Sequence, residues 1–387
     1  MQDNQESQAR AVLVLSTVSF TLLFAVWLMF GVLGVPIKKE LGLTQVQFSW
    51  LAAVAILSGS IWRLPLGMLA DRVGGRVVMA ALLFSTAIPC VLVSRATSYG
   101  QLIGYALWLG VAGNSFSVGV AWNAAWSTPA RQGFALGTFG AGNVGASITK
   151  LIGPALIALV PASGLFGGSV PGGWRFVPVL YAALLVLCGL ALLMFAPSTD
   201  RKPGRGKAVG VMLRPLRRTR VWRFGLYYVV VFGAYVALSL WLPTYYQNVY
   251  HLPLAKAALL TALFIFPASL LRPLGGWLSD RFGARPVTYG VFAVMLLACI
   301  PLCLPAVGQG SDGQISLSLC VLLVEVLGVA MGIGKASVYK YISSYFPGDV
   351  GAVGGLVGSL GALGGFFLPI GFAYLERLTG RPTSRSR

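Results

Sequence analysis

The sequence predicts an all-α membrane protein assembled from two related halves, and three observations predict it. First, 57% of its 387 residues are hydrophobic and 10% are charged, with a mean hydropathy of +0.79, far too apolar for a water-soluble globule. Second, the Lys and Arg residues fall in short loops between apolar runs of about 20 residues, the positive-inside pattern of a polytopic chain. Third, the stretch from Ile61 to Arg76 occurs twice. A shift of 209 positions lays Arg63 on Arg272, Gly67 on Gly276, Leu69 on Leu278, Asp71 on Asp280, Arg72 on Arg281, Gly74 on Gly283 and Arg76 on Arg285 without a gap. A parallel repeat in a membrane protein implies two homologous halves facing a central site near the bilayer midplane.

The apolar runs predict helices at about 11–35, 46–70, 75–95, 100–125, 133–160, 174–197, 221–249, 254–280, 285–305, 315–344 and 350–376. Each is long enough to cross a hydrocarbon core about 30 Å thick at about 1.5 Å per residue. Residues 1–199 then form an N-terminal half of six helices, 200–220 a basic linker, and 221–387 a C-terminal half of five. The segment from Asp200 to Arg223 is the densest positive run, so it is expected in the cytoplasm. Counting from it puts the N-terminus and both Asp-Arg turns on the same side. A duplicated six-helix unit predicts a twelfth helix, and Arg377, Arg381, Arg385 and Arg387 would emerge on the wrong side after the eleventh. The expectation is a truncated chain or a closing segment from a shifted reading frame.

The net charge of +19 would suggest nucleic acid in a soluble domain, but here it orients the chain, and no nucleic-acid partner is expected. The polar start MQDNQESQAR lacks a basic n-region and precedes an apolar run too long for a signal core, so no cleavage is expected. The five cysteines lie in apolar stretches without CxxC spacing, which argues against disulfides and zinc. No nucleophile–base constellation, metal spacing or cofactor loop suggests an enzyme, and neither cofactor nor metal is expected.

The paired G-x-x-x-D-R-x-G-x-R turns resemble the signature loop of the major facilitator superfamily. Gly137-Thr-Phe-Gly140-Ala-Gly142-Asn143-Val-Gly145, with its looser counterpart from Gly355 through Gly358, Gly361 and Gly364 to Gly365, resembles the twin glycine-rich signatures of its nitrate/nitrite porter family. The resemblance covers nearly the whole chain. It implies the two-half major facilitator fold and a secondary transporter of nitrate and nitrite working by alternating access in the inner membrane.

Arg63 lies eight residues before Asp71, so it sits about 12 Å inside the helix end, near mid-membrane, and Arg272 must match it. An arginine there costs at least about 2.5–3.5 kcal/mol, and two of them call for a compensating anion. Glu325 is the one carboxylate well inside an apolar helix, so at least one guanidinium is free for a mobile anion. The planar, forked guanidinium suits a small planar oxyanion such as nitrate or nitrite. A structural role for both arginines is the alternative.

By resemblance, Asn143 hydrogen-bonds the substrate, and Gly142 and Gly361 belong to signatures whose glycines let backbone approach the anion. The three- and four-residue glycine spacing is equally the pattern of close helix packing, and an amide can also join helices. Tyr228 and Phe232 match the family's Tyr-x-x-x-Phe pair, donating to an anion oxygen and walling the site, and Phe116 matches the expected aromatic of the fourth helix. Phe24, Trp27 and Phe30 are further wall candidates. Asp71, Arg72, Arg76, Asp280, Arg281 and Arg285 read as gates, the carboxylates pairing with arginines of neighbouring loops, with loop capping as the alternative. Lys150, Lys335 and Lys340 lie nearer helix ends, where a lysine can snorkel, the first choice for Lys340; Lys335 could instead enlarge the positive cavity or pair with Glu325, although about 15 Å of rise argues against that pair.

Two uncompensated charges make an anion-free occluded carrier costly, which favours exchange of nitrate for nitrite, with a monomer sufficient. Proton symport is the alternative, with Glu325 as the sole deep carboxylate for coupling and His251 outside the membrane. Another small anion or organic acid, and an inactive truncated copy, are the other readings. The lack of further basic side chains at cavity depth argues for a monoanion.

Overall fold

The computed structural model describes residues 2–161, 163–303 and 315–379. Eleven spans follow one another in the expected order: α1 (Gln2–Trp27, continued by Phe30–Leu41), α2 (Gln45–Ile61, continued by Arg63–Val73), α3 (Gly75–Ser94), α4 (Tyr99–Trp126), α5 (Gln132–Leu159), α6 (Phe176–Phe195), α7 (Thr219–Tyr228, resumed by Ala234–Tyr250), α8 (Leu254–Leu270, continued by Arg272–Phe282), α9 (Ala284–Leu302), α10 (Leu317–Tyr345) and α11 (Val350–Thr379). Among the described residues ten helices are long and apolar enough to cross a membrane, and α2, bent by 40°, makes the eleventh. The first span begins earlier and ends later than expected, with a break at Leu28–Met29. The closing Arg381, Arg385 and Arg387 lie outside the described residues.

The sequence repeat is a structural one. Both α2 and α8 break one residue before the repeated arginine, at Trp62 and Leu271. Pro65 and Pro273 carry no N–H, so the carbonyls of Ile61 and Ser269, four residues earlier, lose their donors and the helices turn there. Three more spans change pitch. α4 tightens to a 3₁₀ turn over Gly110–Asn114, just before Phe116, and α5 does so over Ala141–Val144, around Asn143. α7 widens to a π turn over Val229–Gly233, which holds Phe232. Such turns re-aim side chains, and π turns recur at functional sites.

Two glycine-lined crossings join the early spans to the late ones: α5 lies on α8, and α11 on α2. A Cβ at Gly276 would stand 2.0 Å from the Gly133 carbonyl oxygen, and one at Gly67 would stand 2.3 Å from that of Gly351. Gly137 and Gly355 meet the backbone carbonyls of Arg272 and Arg63 in the same way. Both glycine rows therefore serve close backbone approach, the packing side of the pattern.

The basic linker is strapped to one face rather than loose. The Asp200 carboxylate accepts from Trp122 Nε1 (3.0 Å), Trp126 Nε1 (2.9 Å) and the amides of Arg76 (2.9 Å) and Arg201 (2.9 Å). The Gly204 amide donates to the Asp71 carbonyl at 2.9 Å, and Met212, on the short helix Val209–Leu213, packs with Met68 and Ala352. Lys207 Nζ reaches the Gly348 carbonyl (2.8 Å) and the Asp349 carboxylate (3.1 Å). On the opposite face Glu40 accepts from Trp174 Nε1 (2.5 Å) and Arg175 Nη2 (2.6 Å).

Candidate functional site

Each repeated arginine is the first residue of the resumed helix and is 1% exposed. Arg63 donates through Nε to the Gly59 carbonyl at 2.9 Å and through Nη1 to the Gly358 carbonyl at 3.0 Å. Arg272 donates through Nη1 to the Gly140 carbonyl at 3.1 Å and through Nη2 to the Tyr228 hydroxyl at 3.4 Å. Each arginine thus reaches across to a glycine of the signature helix in the other block of spans. Gly140 and Gly358, which belong to the two glycine signatures and were open to either reading, accept these bonds through their backbone oxygens. A Cβ on Gly140 would stand 2.5 Å from Arg272 Cζ, and one on Gly358 would stand 2.9 Å from the Tyr339 hydroxyl.

Among the buried polar atoms without a partner in the described residues are Arg63 Nη2, Arg272 Nε, Lys335 Nζ and, three residues after Gly140, Asn143 Nδ2. All four are donors. Buried donors are paired almost without exception, so a cluster of unpaired ones matches a ligand rich in acceptors. No ion pair among the described residues joins either arginine to a carboxylate. Glu325 is half-buried and forms none of these contacts.

Aromatic rings wall the cluster. Arg63 Cζ lies 5.7 Å from the Phe116 centroid and Arg272 Cζ 5.2 Å from the same ring. Phe232 is shared likewise by Arg63 and Lys335, each at 5.9 Å, and Trp27 lies 5.5 Å from Arg63. Tyr228 is near parallel to Phe232 (11° at 5.1 Å) and to Phe116 (12° at 6.3 Å). Tyr339 meets Phe116 and Tyr228 edge-on, each at 5.0 Å, and anchors its hydroxyl on the Gly354 carbonyl. Ring faces over cations in a dry site are worth about 2 kcal/mol each, which eases the buried charge without neutralising it. Tyr339 was missed, although it stands one turn after Lys335 in α10.

Four of the expected residues stand in other surroundings than the sequence reading gave them. Gly142 opens toward α1, where a Cβ would stand 2.6 Å from the Phe20 ring, so its bareness serves helix packing. Gly361 instead makes room for Tyr228, whose ring would be 2.3 Å from a Cβ there. Lys335 does not snorkel: it is wholly buried, and the premise that no further basic side chain reaches this depth fails with it. Phe24 is buried against Phe20 and Trp27, with no ring contact to either arginine among the described residues.

The expected gates sit below this cluster on the linker face, with different partners. Asp71 accepts from the Gly351 amide at 2.9 Å, at the start of α11. Asp280 accepts from the amides of Gly133 (2.9 Å) and Phe134 (2.8 Å), at the start of α5, and pairs with Lys340 at 2.6 Å. The Lys340 ammonium reaches out to this face and also donates to the Pro129 carbonyl. Among the described residues neither carboxylate pairs with an arginine. Helix N-terminal amides are fixed donors at the positive end of a dipole, ready-made for a carboxylate without ordering a long side chain. Arg72 is exposed, Arg281 covers Trp277 and Phe282, Arg285 covers Tyr289, and Arg76 is tied to the carbonyls of Leu193 and Ser198. Both clasps bridge an early span and a late one.

Asp280→Asn keeps one acceptor for an amide and loses the Lys340 charge. It is expected to speed maleimide labelling of a cysteine placed at Ser343 roughly tenfold, in a chain cleared of its native cysteines. Ser343 is buried beside a cavity of about 640 Å³ on this face, lined also by Gln132, Arg201, Lys202 and Lys340.

Comparison with known proteins bears on the fold and the family. Residues 15–369 match the model of the Major Facilitator Superfamily. The chain is 64% identical over 381 residues to the probable nitrate/nitrite antiporter NarK1 of Thermus thermophilus, covering 96% of this chain and 86% of that one. It is 30% identical over 371 residues to the nitrite extrusion protein of Bacillus subtilis, covering 95% and 88%. Among solved structures, the transporter FucP superposes with a TM-score of 0.72 at 16% identity, covering 96% of this chain and 94% of that one, which bears on the fold alone. With a matching model over most of its length and near relatives of that kind, the chain belongs to the Major Facilitator Superfamily and, within it, to the nitrate/nitrite porter family.

Proposed function

We propose that this protein carries nitrate and nitrite across the inner membrane by alternating access, exchanging one for the other. One observation carries the reading: Arg63 and Arg272 are each locked across the molecule by a glycine carbonyl, leaving Arg63 Nη2, Arg272 Nε and Asn143 Nδ2 unpaired. The near-parallel rings of Phe116, Tyr228 and Phe232 beside these donors suit a flat anion whose oxygens lie in one plane. Tyr228 supplies a hydroxyl to that plane, and Asn143 an amide. Gly361 keeps Tyr228 in place.

In this reading residues 1–199 and 221–379 rock as two units about the site. The linker face lies in the cytoplasm, in keeping with its basic residues. The Asp71 and Asp280 clasps release when it opens. An anion between the arginines lowers the cost of closing over two like charges, so the loaded carrier crosses more readily than the unloaded one. Glu325 sits ten residues from Lys335 along α10, about 15 Å by rise, and takes no part in the cation cluster. The exchange therefore places no proton step on Glu325. All the site residues come from one chain, so a monomer suffices.

A thermal-shift titration tests the substrate. Nitrate and nitrite are expected to raise the melting temperature of the purified protein in a saturable way, because a ligand that binds the folded state alone stabilises it by mass action. Sulfate and lactate are expected to do so far less. Stabilisation by lactate instead would favour the organic-acid reading.

A further inference from the structure

A wholly buried lysine ordinarily ends on a carboxylate or a carbonyl. Lys335 ends on neither. Its ammonium lies 3.3 Å from the centroid of the Tyr235 ring and 5.9 Å from that of Phe232, with no hydrogen-bond partner among the described residues. The charged and titratable groups around it are Arg272 from α8, Tyr235 from α7 with its hydroxyl on Ser269, and Tyr339 one turn along its own helix. On the α9 side the neighbouring polar contact is the neutral Thr288–Ser337 pair. Among the described residues no carboxylate compensates this cation, the ring faces of Tyr235 and Phe232 only ease it, and Arg272 adds repulsion. A residue so placed burdens the fold, which points to a role in the site it shares.

We propose that Lys335 is the third cationic arm of the anion site and that its charge is what couples transport to exchange. This rests on the anion-carrier reading. With Arg63 and Arg272 alone the closed cluster holds one repulsive pair; with Lys335 it holds three. Closing over the cluster without an anion becomes much harder, while an anion sharing the space attracts all three arms. The shared ring of Phe232 between Arg63 and Lys335 parallels that of Phe116 between the two arginines, so the third arm belongs to the same walled space.

The test compares wild type, K335M and K335R by melting temperature, by anion-induced thermal shift, and by labelled nitrate uptake into vesicles with and without internal nitrite. Methionine fills the same volume without a buried unpaired charge. K335M is therefore expected to melt higher than wild type, to bind nitrate roughly tenfold or more weakly, and to let net uptake into nitrite-free vesicles approach the counterflow rate. K335R is expected to keep wild-type coupling. A purely structural lysine would give the reverse in stability, and a lower melting temperature for K335M with unchanged affinity and unchanged counterflow-to-net ratio would overturn the proposal. The thermal-shift panel includes chloride and lactate to separate the two readings. If another anion stabilises the wild type in place of nitrate and K335M weakens that response, Lys335 keeps its role and the substrate assignment falls. If no anion stabilises the wild type, both fall.

Discussion

Arg63→Lys and Arg272→Lys are each expected to cut nitrate/nitrite exchange by at least about a hundredfold, a loss of about 2.7 kcal/mol at the site, while the protein still folds. The expectation follows from how the donors are divided. Arg63 spends Nε on Gly59 and Nη1 on Gly358 and leaves Nη2 free; Arg272 spends Nη1 on Gly140 and Nη2 on Tyr228 and leaves Nε free. A lysine is a point charge on a flexible stem and cannot hold the glycine carbonyl and face the anion in one fixed plane. Charge is kept in the substitution, so a carrier needing positive potential alone would keep its activity. Initial rates of labelled nitrate entry into nitrite-loaded vesicles measure it, and a loss of less than about threefold in both variants would show that the fork geometry is unimportant.

Gly276→Ala is expected to lower the transport rate more than tenfold for a different reason. Its new methyl would stand 2.0 Å from the Gly133 oxygen and 2.5 Å from that carbonyl carbon, which are backbone atoms that cannot swing aside. α5 and α8 would have to part by something on the order of 1 Å, enough to weaken the Asp280 bonds to the Gly133 and Phe134 amides. The linker face would then stay partly open. Gly67→Ala is expected to behave alike at the mirror crossing, where the methyl meets the Gly351 oxygen. Labelling of a cysteine at Ser343 distinguishes a carrier arrested open from one that merely misfolds: the arrested form labels quickly and still melts cooperatively. Normal rate and normal labelling in both variants would mean the crossings open and close without needing contact this close.

Most of the architecture was legible because it is written in local spacing. Apolar runs fix the spans, a shift of 209 aligns Arg63 with Arg272 and Asp71 with Asp280, and Tyr228 and Phe232 are one turn apart on any helix. What escaped depends on how helices are rotated and where backbone lies. A lysine ten residues from the end of a span can reach either water or the centre, and only the rotation of α10 puts Lys335 beside Arg272. Gly140 and Gly358 act through carbonyl oxygens, which every residue has, so their identity advertises packing and conceals the bond to arginine. The partners of Asp71 and Asp280 are helix-start amides, equally anonymous in a sequence. Asp200 looked like one acid in a basic loop, yet its four N–H partners pin that loop to Trp122, Trp126 and α3.

The most direct test of carriage by exchange is counterflow. Vesicles containing the purified 387-residue protein are loaded with nitrite, and labelled nitrate is followed as it enters, beside vesicles holding neither anion. The expected result is rapid entry that depends on internal nitrite, with slow entry into the anion-free vesicles. Equal entry into both would contradict exchange, and no entry into either would contradict nitrate as the substrate.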